Sequence, residues 1–234
     1  MFTKIVSINA IRGAIESNYC LEIFITENTR QSNLIALAKK NNIKVTLVTK
    51  EKMDSLFGSN YQGICAYAKP VYTVGLEEII SISKKNKNPL IVMLDELTDP
   101  HNLGAILRTC DAFNVSGVIY KKRGNVSLNE TVVKISTGAA YFVKCAEVSN
   151  LNNALKVLKK NGFWVVALDG DSNTILKDVP HDVPLVVIVG SEGYGISRLI
   201  KENSDMIAKI PMTGNVNCLN ASVACSIALY ELRR

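Results

Sequence analysis

Five short apolar runs constrain this chain most: LIVML at 90–94, GVIY at 117–120, FWVVAL at 163–168, LVVIV at 185–189 and MIAKI at 206–210. They are rich in β-branched residues and do not alternate apolar with polar. A strand with one wet face would alternate, so these runs suit parallel strands covered on both faces. Helical segments separate them, at 103–113, 130–137, 151–160, 196–202 and 220–232. In the first, Leu103, Ile106, Leu107 and Cys110 keep the i, i+3, i+4, i+7 spacing of one helix face. In the last, Val223, Ile227 and Tyr230 form the apolar stripe. The expectation for residues 89–234 is a doubly wound, parallel-sheet α/β domain.

Residues 1–70 read as a smaller α/β unit. Helical stretches at 9–17, 32–41 and 50–57 alternate with the strands EIFIT (22–26), KVTLV (44–48) and ICAYA (64–68). Residues 71–88 form a linker with a helical middle, LEEIISIS, closed by Asn88-Pro89.

Composition removes several functional classes. No uncharged apolar run approaches the ~20 residues of a membrane span, and Lys4, Arg12 and Glu16 interrupt any signal-peptide core. A soluble, cytoplasmic protein with no membrane contact is expected. The six cysteines form no CxxC pair and the chain has two histidines, so a structural zinc site is not expected. Net charge is +6, with nine basic and five acidic residues before position 71. That mild excess suits a polyanion but does not demand one.

Ligands of open parallel sheets bind beyond the carboxyl ends of the strands. Three polar stretches sit there: DELTDPHNLGAILR, GSEGYGISR and PMTGNVNCLN. The second is glycine-rich but matches neither G-x-G-x-x-G nor a P-loop, whose lysine is replaced by Ile196. Taken singly, each polar residue has a structural reading. Asn102 can cap a helix, Glu192 can favour a helix N-terminus, Arg108 can pair with Asp111, and Asn220 or Ser222 can cap the last helix. Cys218 can be read as a nucleophile, yet neither His101 nor His181 carries a signature for its base.

Together, DPHNLGAILRTCDAFNV, IVGSEGYGISRLI and IPMTGNVNCLNASVACSIALYE resemble, in order, the three motifs of the SpoU/TrmH family of the SPOUT class. INAIRGAIE and NYQGICAYAKP resemble the opening and closing segments of the small substrate-binding domain of its large-subunit ribosomal RNA branch. The resemblance implies a parallel-sheet methyltransferase domain with a C-terminal trefoil knot, preceded by an RNA substrate-binding domain. It implies methyl transfer from S-adenosyl-L-methionine to a ribose 2′-hydroxyl, of a guanosine in 23S rRNA. The alternatives are a transfer RNA substrate or a non-catalytic RNA-binding module that keeps the fold. It also implies a homodimer with shared active sites and no metal.

Carried over residue by residue, the resemblance implies catalytic roles for Asn102, Arg108, Glu192, Cys218 and Asn220, and cofactor contacts at Gly190, Ile210 and Leu219. It gives Arg108 the role of base, whereas guanidinium chemistry favours a bidentate phosphate clamp. Two positions depart from the pattern. Cys218 stands where the family has serine, a stronger hydrogen-bonding group, and Tyr61 stands where it has histidine.

Overall fold

The computed structural model describes residues 2–191 and 193–234. In chain order the elements are β1 (Thr3–Ile5), α1 (Ile8–Glu16), β2 (Cys20–Ile25), α2 (Ser32–Lys40), β3 (Lys44–Leu47), α3 (Lys50–Phe57) and β4 (Ile64–Ala68). Then follow α4 (Leu76–Ser83), β5 (Leu90–Leu94), α5 (Pro100–Ala112), β6 (Gly117–Lys121), α6 (Glu130–Ile135), β7 (Cys145–Val148), α7 (Leu151–Lys160) and β8 (Trp164–Leu168). The chain closes with β9 (Thr174–Ile175), β10 (Leu185–Val189), α8 (Arg198–Glu202), β11 (Met206–Lys209) and α9 (Ala221–Leu232). No helix among the described residues is long and apolar enough to cross a membrane.

Two compact units result: 1–72 with 128–142, and 73–127 with 143–234. The first has a four-stranded sheet of order β1-β4-β2-β3, parallel between β2 and β3 and antiparallel elsewhere. Its small core is aromatic: the Phe24 ring lies 5.4 Å from Phe57 and 5.1 Å from Tyr67, within range for tilted and edge contacts. The segment 128–142 joins this unit through Gly138. That residue has φ +95°, and a Cβ there would lie 2.9 Å from the Asn9 carbonyl oxygen, so α1 rests directly on its backbone. Tyr61 donates to Asp54 Oδ1 at 2.8 Å, so its phenol has a carboxylate partner.

The second unit is a seven-stranded, wholly parallel sheet of order β7-β6-β5-β10-β8-β11-β9. Ile91, Met93, Ile119, Val165, Ala167, Val186 and Ile188 bury one face against Ile79 of α4, Leu155 and Leu158 of α7 and Ile200 of α8. The alternate residues Leu90, Val92, Leu94 and Val187 are equally buried, so both faces are covered, as the continuous apolar runs require. Helix α5 contacts β6, α9 contacts β10, and the two helices pack on each other. Leu103, Ile106, Leu107 and Cys110 are all buried, in agreement with their spacing.

The stripe expected on α9 is corrected. Ala221, Cys225, Ala228, Leu229 and Leu232 are buried, while Val223, Ile227 and Tyr230 are 45%, 39% and 58% exposed. A helix apolar on every side does not declare its core face in its sequence. Three strands absent from the sequence reading, β1, β7 and β9, are two to four residues long. They exist through pairing with β4, β6 and β11 rather than through local pattern.

Candidate functional site

Three chain segments meet where β5, β10 and β11 end. After β5, Asp99 caps α5 by accepting from His101 N at 2.8 Å, with Pro100 preset for the first helical turn. This corrects the capping reading of Asn102, which lies inside the helix with its side chain buried. The buried amide oxygen Asn102 Oδ1 accepts from Asn220 Nδ2 at 3.0 Å. Asn220 is itself the N-cap of α9, its Oδ1 accepting from Ser222 N at 2.9 Å and Val223 N at 3.3 Å. Those two donors fix which end of the Asn220 amide is oxygen, so the nitrogen must face Asn102.

Two further contacts follow in the same order along both helices. Thr109 and Ser226 hydroxyls are 2.9 Å apart, and the Arg233 guanidinium donates to the carbonyls of Phe113 (3.1 Å) and Asn114 (2.8 Å). Helices α5 and α9 therefore run parallel, and their positive N-terminal ends converge at the asparagine pair.

The loop after β10 is built on Gly190. A Cβ at this position would overlap the carbonyl group of Gly195, so only glycine lets the loop fold back this closely. Ser191 and Gly195 exchange backbone hydrogen bonds of 3.1 and 3.0 Å across the turn. The buried Asp95, first residue after β5, accepts from Ser197 N at 2.8 Å and ties this loop to the neighbouring strand end. Glu192 lies outside the described residues.

Gly190, Ile210, Cys218 and Leu219 all line one cavity of about 260 Å³, near the lower end of ligand-pocket sizes. Val189, Leu168 and Ala224 add apolar wall. The sequence reading missed its fourth side, Asp169 and Gly170, which follow the apolar run of β8 and could have been found by the strand-end rule applied there. Burial opposes ionisation of Asp169, but hydrogen bonds from Lys201 Nζ (2.5 Å) and Asp171 N (3.0 Å) outweigh it and lower its pKa. Asn102 lines a second cavity, of about 420 Å³, with Thr98, Asp99 and Gly124; Ser191 lines both.

Arg108 is not brought to either cavity. It is exposed on α5 and forms no ion pair with Asp111, against that expectation. Asp111 instead has a raised pKa caused by desolvation. Cys218 is exposed, and neither His101 nor His181 lines its cavity, so neither histidine is placed as the base of a thiol nucleophile. No cluster of three or more His, Cys, Asp or Glu suited to a metal is found among the described residues.

Comparison with known proteins matches residues 89–230 to the SpoU rRNA Methylase family and residues 8–74 to RNA 2′-O ribose methyltransferase substrate binding. A Staphylococcus saprophyticus protein assigned to the TrmH family of tRNA/rRNA methyltransferases is 40% identical, over 98% of this chain and 94% of its own. The crystal structure of the SpoU methyltransferase AviRb from Streptomyces viridochromogenes with the cofactor AdoMet covers 98% of this chain and 88% of its own. Its TM-score is 0.82 at 19% identity. An AdoMet-bound rRNA methyltransferase from Sinorhizobium meliloti gives a TM-score of 0.80 at 20% identity, over 99% of this chain and 87% of its own. At these identities the two structures establish a common fold.

Proposed function

The chain belongs to the SpoU rRNA methylase family of S-adenosylmethionine-dependent RNA methyltransferases, and we propose that it methylates the ribose 2′-hydroxyl of a guanosine in 23S ribosomal RNA. The observation that carries this reading is the pair of adjoining cavities that share Ser191, one walled by Leu168, Val189, Ile210 and Ala224 and one bordered by Asn102. They suit a donor and an acceptor nucleotide held edge to edge. Six free cysteines suit a reducing cytoplasm.

The 260 Å³ cavity fits the cofactor chemically: Leu168, Val189, Ile210 and Ala224 offer apolar surface for an adenine, and backbone at Gly190, Ile210 and Leu219 offers polar groups at its edge. When bound, S-adenosylmethionine supplies a methyl carbon activated by its sulfonium. The protein's share is positioning, which yields much of the rate for an in-line transfer. The Asn102–Asn220 pair locks two helix ends beside the acceptor cavity, and we assign it, with Glu192 and Cys218, to orienting the ribose. Arg108 acts as a bidentate phosphate clamp, because a guanidinium stays protonated at neutral pH.

Arg108 reaches the chemistry in a homodimer. Its exposed side chain lies on the helix that packs against α9, whose Val223, Ile227 and Tyr230 are apolar and exposed. A second copy covering that face would let one subunit's Arg108 complete the other's site. We take the trefoil knot from the family as part of this reading.

The test is incubation with labelled S-adenosylmethionine and unmodified transcripts of 23S rRNA and of tRNA, followed by mapping of 2′-O-methyl nucleotides. Label in the 23S transcript is expected. Label in tRNA alone would move the substrate, and cofactor binding with no label in either RNA would leave a binding module. Sedimentation of Ile227→Asp should shift the dimer to monomer and abolish transfer.

A further inference from the structure

We infer that Tyr194 is a stacking face for the nucleobase of the substrate RNA, with that base seated in the 420 Å³ cavity beside Asn102. This rests on the reading of the chain as an RNA ribose methyltransferase. Tyr194 is 93% exposed, the most exposed large apolar side chain among the described residues, so its ring contributes nothing to the core. Its backbone is nevertheless held. The Ser191–Gly195 bridge closes the turn around it, and Tyr194 N donates to Ser191 Oγ at 3.3 Å. A fixed backbone carrying a bare aromatic ring is costly to leave in water and cheap to use in binding, since only two side-chain torsions are immobilised.

Glycine stands on both sides of Tyr194, so neither immediate neighbour carries a side chain that could crowd a planar partner. The cavity that Tyr194 borders also holds Glu96 and Asp99, and no Lys or Arg among its described lining residues. Two carboxylates repel a phosphate but accept from base N–H groups. This cavity therefore takes the base rather than the backbone, and favours an edge with adjacent donors, as guanine has. Sequence-specific RNA recognition commonly works this way, on bases splayed out and stacked on aromatic rings. Through Ser191 the same turn borders the apolar cavity, so a base stacked on Tyr194 brings its own ribose toward the donor site.

The test compares Tyr194→Ala, Tyr194→Phe and Tyr194→Trp for methyl transfer to the unmodified 23S transcript and, by calorimetry, for S-adenosylmethionine affinity. Loss of one stacked base predicts a fall of about 10- to 100-fold in kcat/KM for RNA in Tyr194→Ala. Phe and Trp restore the rate, and cofactor affinity stays at the wild-type value in all three, because Tyr194 does not line the apolar cavity. An alanine variant as active as wild type would overturn the proposal, as would a phenylalanine variant as impaired as alanine, or a parallel loss of cofactor affinity. A wild-type protein that labels neither RNA would instead sink the underlying methyltransferase reading, and this proposal with it.

Discussion

Asn220 Nδ2 donates to Asn102 Oδ1 at 3.0 Å across 118 residues of sequence, so one amide caps α9 with its oxygen and grips α5 with its nitrogen. The two halves of that amide separate in a mutation pair. Asn220→Ala loses both, and costs about 0.5–2 kcal/mol from the cap alone. Asn220→Asp keeps a good capping oxygen but offers Asn102 no donor. Urea unfolding should show the aspartate variant less destabilised than the alanine variant, while methyl transfer falls in both. Equal activity in Asn220→Asp and wild type would remove the pair from the mechanism.

Gly190 is irreplaceable for steric reasons. Any Cβ there overlaps the Gly195 backbone, which cannot swing aside as a side-chain tip could. Gly190→Ala should open the turn and weaken S-adenosylmethionine binding by at least about tenfold, or 1.4 kcal/mol. Calorimetric titration measures this directly.

Asp95 holds the same turn from the other strand. Its buried carboxylate is the acceptor for Ser197 N. Asp95→Ala leaves that donor unsatisfied and should cost about 1–3 kcal/mol. Asp95→Asn retains an oxygen and should recover part of the loss, as read from denaturant midpoints.

Asp169 gives a pH signature. Its carboxyl is lowered in the folded chain, burial opposing but Lys201 and Asp171 N outweighing it. A lowered carboxylate contributes stability that is present above the ordinary value near 3.8 and is lost as pH falls through the folded value. The stability difference between wild type and Asp169→Asn should therefore be constant around neutrality and shrink below about pH 4. A difference that grows on acidification would contradict the assignment.

Cys218 lines the cavity of Gly190 and Leu219, at the position where the motif resemblance implies serine. A hydroxyl donates and accepts more strongly than a thiol of nearly the same shape. Cys218→Ser should raise kcat for methyl transfer with little change in thermal midpoint. A slower serine variant would show that this site has adapted around sulfur.

The unbroken apolar runs were enough to establish a parallel sheet buried on both faces, because only that setting tolerates LIVML and LVVIV without alternation. Linear order likewise held the second and third motifs, whose residues Gly190, Ile210, Cys218 and Leu219 surround one cavity. Other features depend on residues far apart in the chain, and local pattern carries no trace of them. The apolar α9 could have buried any face, and contact with α5 and β10 chose Cys225 and Leu229 over Val223 and Ile227. Strand β9 is two residues that only β11 makes into a strand. Asp95 reads as an ordinary loop carboxylate until the fold carries Ser197 N to it from 102 residues away. Periodicity reports the polarity of a surface, and tertiary packing decides what lies against it.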